Sequence, residues 1–264
     1  MTEETPSMDE NPYEEARMTI LDHLRELRVR VIYVFIAVFV GFIISWIFRE
    51  QLFDFLQRPL AHTSVDTELT QMHHKDLSEP FVVMLKTSIF GGVFLASPFI
   101  LAQLWLFIAP ALYPDEKKFA FPFIFFATFF FVAGASFCFF LVMPYGFDFL
   151  LKFTDGSTPE LMMKEYLSLV TKLLLGFGFV FELPVITAFL AKMGIITHVH
   201  LIRFWRYAIV IAFIVAAMLT PPDVITQTMM AGPLILLYTI SIGVAYVISK
   251  GKSERKESKL QSEL

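Results

Sequence analysis

Six apolar stretches, most of them about 20 residues long and each bounded by charge or proline, dominate this chain. A hydrocarbon core about 30 Å thick, crossed at about 1.5 Å per residue, needs a helix of that length. The stretches fall at 29–48, 88–109, 121–143, 173–191, 207–219 and 224–249. Arg49-Glu50 closes the first, Pro110 the second and Pro144 the third. In lipid every backbone N–H and C=O must be satisfied within the segment or its barrel, so apolar runs of this length read as helices. The expected fold is an all-α polytopic membrane protein with six transmembrane helices. With 56% hydrophobic and 17% charged residues, most of the chain has lipid as its solvent. Residues 21–250 form the six-span body. An acidic tail, 1–20, precedes it, and a charged tail, 251–264, follows and reads as disordered.

Lysine and arginine orient the spans. Arg17, Arg25, Arg28, Arg30, Lys117, Lys118, Lys192, Arg203, Arg206, Lys250, Lys252, Arg255, Lys256 and Lys259 fall on one side, two-thirds of the 21 in the chain. The bias predicts both termini in the cytoplasm. On the other side lie two cap segments, about 49–87 and 144–172, and a tight turn, Thr220-Pro221-Pro222-Asp223. In the first cap, Phe53, Phe55, Leu56 and Leu60 among polar residues predict an interfacial amphipathic piece. The fifth span is anomalous: about 14 residues separate Arg206 from Pro221, some two-thirds of the core thickness. Either the bilayer thins there or the helix end sits in a recess.

A net charge of −4 excludes a nucleic-acid partner, which calls for a basic face. The single cysteine, Cys138, allows no intramolecular disulfide. Residues 1–16 are acidic and lack the shape of a cleaved signal peptide. No internal repeat of the kind many carriers show is visible. His73-His74 and the His198, His200 pair lack the i,i+4 spacing that puts two metal ligands on one helix face, so they read as solvated loop residues and no metal is expected. No nucleophile–base motif, phosphate loop or dinucleotide fingerprint appears, so neither an enzyme nor a cofactor is expected.

Polar residues in three places remain to be explained. Before the first span, Glu26 and Arg30 stand i,i+4, the spacing of a surface ion pair beside the positive-inside anchor that includes Arg28. Between spans two and three, Pro110 and Pro114 stiffen a loop that presents Asp115 and Glu116, an acidic rim suited to a cationic ligand. Glu182 falls about 15 Å from each of Lys172 and Lys192, near the bilayer midplane. A carboxyl there is costly and functional by default, its plainer reading being a protonated side chain bonded to a neighbouring helix. Pro184 predicts a kink beside it. Thr220, Asp223, Thr226, Gln227 and Thr228 add a polar patch at the far end of spans five and six.

Taken together, these motifs resemble the TatC family, the multi-span subunit of the twin-arginine protein translocase. The resemblance rests on His23-Leu24-Arg25-Glu26-Leu27-Arg28-Val29-Arg30, Ser78-Glu79-Pro80-Phe81, Ser97-Pro98, Phe107-Ile108-Ala109-Pro110-Ala111-Leu112-Tyr113, Phe181-Glu182-Leu183-Pro184 and Leu219-Thr220-Pro221-Pro222-Asp223. They occur in family order over about residues 20–250. The resemblance implies a cup-shaped bundle in the bacterial inner membrane. With small single-span TatA/TatB-type partners it would export folded proteins, using the proton-motive force. It also implies that Glu26 and Glu116 receive the paired arginines of a signal peptide at a site that includes Arg28, with Phe107, Pro110 and Tyr113 shaping the pocket. Two guanidinium forks call for two carboxylates, which lysine could not match. Asp115, where the family usually has histidine, adds a charge to that site. Glu182, Thr220 and Gln227 match positions that contact partner helices or the inserted signal. The rival reading is a proton-coupled carrier of small solutes relaying protons through Glu182.

Overall fold

The computed structural model describes residues 20–61, 72–73, 75–108, 120–152, 161–220 and 224–262. Among these, six helical passages are long and apolar enough to cross a membrane. The first is α1 (Ile20–Ile47) and the second α3 (Glu79–Ile108), with α2 (Arg49–Ala61) and the two-residue β1 (Met72–His73) between them. The third is α4 (Ala120–Phe137), a π turn (Cys138–Val142) and α5 (Met143–Lys152) in continuous succession. After β2 (Leu161–Met162) the fourth comprises α6 (Met163–Phe181) and α7 (Leu183–Met193), and α8 (His198–Leu219) and α9 (Val224–Ser262) complete the bundle. The expected all-α, six-span architecture is the one found.

Pro144 does not end the third passage. Its ring clashes with the carbonyl four residues earlier and it brings no N–H. The chain widens just before it, the Met143 N–H reaching Cys138 O across the π turn, and the helix continues to Lys152. The fourth passage breaks at Glu182, where Pro184 was expected to kink it. The Glu182 N–H donates to Phe179 O at 3.1 Å, and its carbonyl accepts from the Ile186 N–H at 2.8 Å. Gly194, at φ 82°, then ends α7 in a left-handed cap, with the Ile195 N–H on Leu190 O.

The fifth helix is longer than its apolar stretch. α8 has 22 residues, about 33 Å and a full crossing, because Thr197 caps it and the helix carries Arg203 and Arg206, both exposed. What is short is only the uncharged part, and arginine stems that snorkel remove the need for a thin bilayer. His200 belongs to that cap, its Nδ1 taking the Thr197 N–H at 3.2 Å, and His198 Nδ1 lies 3.1 Å from Ser249 Oγ. These two histidines therefore serve a helix start and are not loop residues. The charged tail, expected to be disordered, is helical through Ser262. It extends a helix already nucleated in the membrane, and Glu, Lys, Arg and Leu propagate such a helix readily.

Glycines bring the passages into backbone contact. A Cβ at Gly41 of α1 would sit 2.6 Å from Gly92 O of α3, and one at Gly134 of α4 would sit 2.6 Å from Phe177 O of α6. Close approach at small residues is how helices associate where lipid tails are as apolar as the side chains. Val170 and Phe177 of α6 are wholly buried, while α1 turns Phe35 and Phe39 outward, 70% and 62% exposed.

At one end of the bundle the cap segments join. β1 pairs with β2 in parallel, Met72 opposite Leu161 and His73 opposite Met162. Both oxygens of Glu79, at the start of α3, accept backbone N–H groups, Lys75 at 2.8 Å and Lys164 at 3.2 Å. α2 buries Phe53, Leu56 and Leu60, and Tyr166 OH donates to Leu56 O at 2.8 Å. This is the cap face. The opposite face, where α1 begins and α9 leaves the bundle, is the terminal face.

Candidate functional site

On the terminal face the start of α1 packs against the end of α3. His23, Glu26 and Arg30 recur at three- and four-residue intervals and so share one side of α1. The His23 ring stacks on Phe107, centroids 4.3 Å apart and planes 18° from parallel. Arg30 Nε donates to Glu26 Oε1 at 2.9 Å, its NH2 group reaches the same oxygen, and its NH1 group donates to Gln103 Oε1 at 3.3 Å. The ion pair read from sequence as a surface one is half-buried and tied to α3.

This leaves Glu26 with one occupied oxygen and one open one. Oε2 is buried and has no hydrogen-bond partner among the described residues. Arg30 holds the carboxylate from behind, and a carboxylate accepts a second guanidinium edge through such an oxygen. Arg28 is exposed and lies on another side of α1 from Glu26, so the structure does not bring it to this cluster. Pro110, Tyr113, Asp115 and Glu116 lie outside the described residues. Their segment joins Ile108 of α3 to Ala120 of α4, beginning two residues after Phe107.

Glu182 sits at the break between α6 and α7, 5% exposed, and its Oε1 has no hydrogen-bond partner among the described residues. The plainer reading, a carboxyl bonded across to a neighbouring helix, is therefore not met at that oxygen. Seven residues on, Phe189 closes an aromatic cluster with Trp105 and Phe123. Trp105 stacks on Phe123 at 4.2 Å and meets the Phe189 edge at 4.4 Å. Trp105 is 1% exposed with its Nε1–H unpartnered among the described residues. The cluster thus lies between Glu182 and the terminal face, about 10 Å along α7 from the carboxyl.

The polar patch of spans five and six is engaged in helix packing. Gln227 Nε2 donates to Phe213 O at 3.0 Å, stapling α9 to α8, and Thr220 Oγ1 donates to Ala216 O at 3.0 Å. Asp223 lies outside the described residues. A Cβ on Gly176 would meet the Leu219 side chain at 2.8 Å, so this patch lies about 9 Å along α6 from Glu182. The structure keeps the patch, the midplane carboxyl and the terminal rim at separate levels.

Sequence reasoning missed three residues. Gln103 was legible as the lone amide in the apolar end of α3, and Trp105 as the indole two residues before Phe107. Glu79 was quoted only within a motif, though glutamate before proline at a helix start marks a carboxylate free to take loop N–H groups.

A six-passage helical bundle with a half-satisfied carboxylate at one rim and a buried carboxyl at mid-depth defines a polytopic membrane protein with buried polar groups at more than one level. Comparison with known proteins narrows the class. The family model for the Sec-independent protein translocase protein (TatC) matches residues 22–233. The chain is 45% identical over 245 residues to the Sec-independent protein translocase protein TatC of Desulforapulum autotrophicum, covering 92% of this chain and 90% of that one. Its identity to the TatC of Koribacter versatilis is 39% over 244 residues, 91% and 90% of the two chains. Two crystal structures of the twin-arginine translocase receptor TatC superpose with TM-scores of 0.76 and 0.77 at 40% and 39% identity. Each covers 84% of this chain, which in turn spans 97% and 99% of theirs. The chain belongs to the TatC family, and it is a multi-pass membrane protein of protein transport.

Proposed function

We propose that this chain is the core receptor subunit of a twin-arginine translocase, a transport component and not an enzyme. It resides in the bacterial cytoplasmic membrane with the terminal face and both termini inside the cell, as the lysine and arginine bias requires. The observation that carries the recognition step is Glu26: one oxygen fixed by Arg30, the other buried and without a partner among the described residues, beside the His23–Phe107 stack.

In this reading one signal-peptide arginine docks on Glu26 Oε2 and its neighbour on Glu116, with Asp115 adding charge and Phe107, Pro110 and Tyr113 shaping the pocket. Arg28 contributes to the inside anchor, not to the grip. The apolar part of the signal then follows the bundle toward Glu182. Single-span TatA/TatB-type subunits gather at Glu182, Thr220, Asp223 and Gln227 in an oligomeric complex, and the proton-motive force drives passage of the folded cargo. Three levels of polar groups, separated along the helix axes, suit a partner that is itself a helix running through the membrane.

The test is binding of a synthetic twin-arginine peptide to the purified full chain in detergent. Glu26→Ala with Glu116→Ala abolishes binding while membrane insertion, followed by protease accessibility, is unchanged. Undiminished affinity in that double variant overturns the recognition step.

A further inference from the structure

A lateral cavity under the cap face has the form of a lipid site. Between α1, α3 and the α4–π segment lies an apolar slot of about 290 Å³, with Ile44, Leu95, Val132 and Phe140 at its edge. These four are 45%, 56%, 40% and 66% exposed, so the slot opens on the surface of the bundle. Beside it is a second cavity of about 520 Å³ with a different lining, including Arg58, Tyr145 and Asp148. Phe55, Phe139 and Phe140 line both, Phe55 and Phe139 stacked at 4.5 Å, so one aromatic wall joins the apolar slot to the polar chamber.

Depth and charge identify the occupant. The third passage, Ala120 to Lys152, is longer than a hydrocarbon core about 30 Å thick requires, and its charged residues, Asp148 and Lys152, gather at its cap end. Tyr145 and Arg58, which line the chamber with Asp148, therefore lie toward the cap-side boundary. From Phe140 in the π turn to Val132 in α4 the slot runs inward for about 12 Å along the passage. At the start of α2 the Arg49 guanidinium, 5.1 Å from the centroid of the Trp46 ring on α1, marks the same interface. Arg58 is exposed, 5.5 Å from the Phe55 centroid, and forms no ion pair with a described carboxylate. Asp148 is held by Lys152 at 2.6 Å, so that pair adds no net charge. Among the described residues the chamber is aromatic, its one cation Arg58 and its one carboxylate already held by Lys152, and the slot below it is apolar and narrow.

We infer that this paired cavity binds one phospholipid with an anionic headgroup, its phosphate on Arg58 and one acyl chain in the slot. The inference does not rest on the receptor reading, because no residue of the terminal rim takes part. A zwitterionic lipid fits the slot equally but gains less from a lone guanidinium.

The purified full chain in dodecyl maltoside, given equal amounts of phosphatidylglycerol and phosphatidylcholine, tests this by native mass spectrometry. One phosphatidylglycerol is retained per chain in preference to phosphatidylcholine. Arg58→Gln lowers its retention about fivefold, the worth of one interfacial cation, and leaves phosphatidylcholine unchanged. Val132→Trp fills the slot and lowers both. If either variant loses thermal stability, Phe140→Trp reads the site in the otherwise native chain. Its emission is then quenched by chain-brominated phosphatidylglycerol at a lower lipid fraction than by the brominated phosphatidylcholine. Equal retention or equal quenching by the two lipids overturns the inference, as does displacement of the lipid by an equimolar twin-arginine peptide.

Discussion

The two faces of the bundle treat their carboxylates in opposite ways. At the cap face Glu79 gives both oxygens to backbone N–H groups from two separate segments, and Tyr166 seals Leu56 O. Elsewhere Glu26 Oε2, Trp105 Nε1 and Glu182 Oε1 are buried without hydrogen-bond partners among the described residues, as are Ser97 Oγ and, about two turns below the cap, Thr87 Oγ1 within α3. A buried polar group left unpaired costs stability that evolution readily recovers with a partner, so one that persists calls for a reason. The cap has the accounting of a scaffold. Under the proposed function, the rim and the midplane keep acceptors free for a ligand.

The largest expected effect sets the two carboxylates against each other. Each guanidinium–carboxylate pair contributes about 1.5–3 kcal/mol, so removing Glu26 and Glu116 together lowers twin-arginine peptide affinity by at least two orders of magnitude. Glu79→Gln leaves that affinity unchanged and instead lowers the thermal midpoint in detergent by several degrees, because Lys75 and Lys164 N–H groups lose an anionic acceptor. Isothermal titration and a melting scan on the same preparations measure both. A Glu79 variant that lost peptide affinity with its stability intact would erase the distinction.

Glu182→Gln comes next. It keeps the shape and removes the ability to ionise, so peptide affinity holds within about twofold while export of a folded reporter falls severalfold. Normal export would return Glu182 to the scaffold. Tyr166→Phe sharpens the other side: it deletes a single buried hydrogen bond, lowers stability by about 1 kcal/mol, and leaves binding and export intact.

The passages were legible because lipid imposes a length and forbids unpaired backbone, so apolar runs and their charged ends show directly. Their exact extents were not. Pro144 breaks a helix by local rules, but a π turn five residues long absorbs it. Arg203 and Arg206 end an apolar window without ending a helix, since arginine is a good helix former whose stem lies along the apolar surface. Glu26 and Glu182 stood out as charges where few occur. Glu79 did not, because its second partner is Lys164, 85 residues away, and its first is a loop amide. Burial of the Glu26–Arg30 pair was invisible for the same reason: it depends on Gln103 and Phe107, which the fold brings from another passage.

Gln103 carries the smallest and most discriminating prediction. Its contact with Arg30 is long, 3.3 Å, and only partly buried, so Gln103→Leu costs about 0.5 kcal/mol, the low end for a hydrogen bond. Where that loss shows decides what the rim is. If Gln103 positions Arg30, and through it the open edge of Glu26, the substitution leaves the melting point unmoved and weakens peptide binding about twofold, since 0.5 kcal/mol is roughly that factor. The released guanidinium can then swing toward Oε2 and compete with the incoming arginine. Adding Arg30→Gln to the variant removes that competitor but also the brace, so affinity does not recover. If the rim is instead a second scaffold like the cap, Gln103→Leu behaves as Tyr166→Phe does, lowering stability and sparing affinity, and the contrast between the two faces disappears.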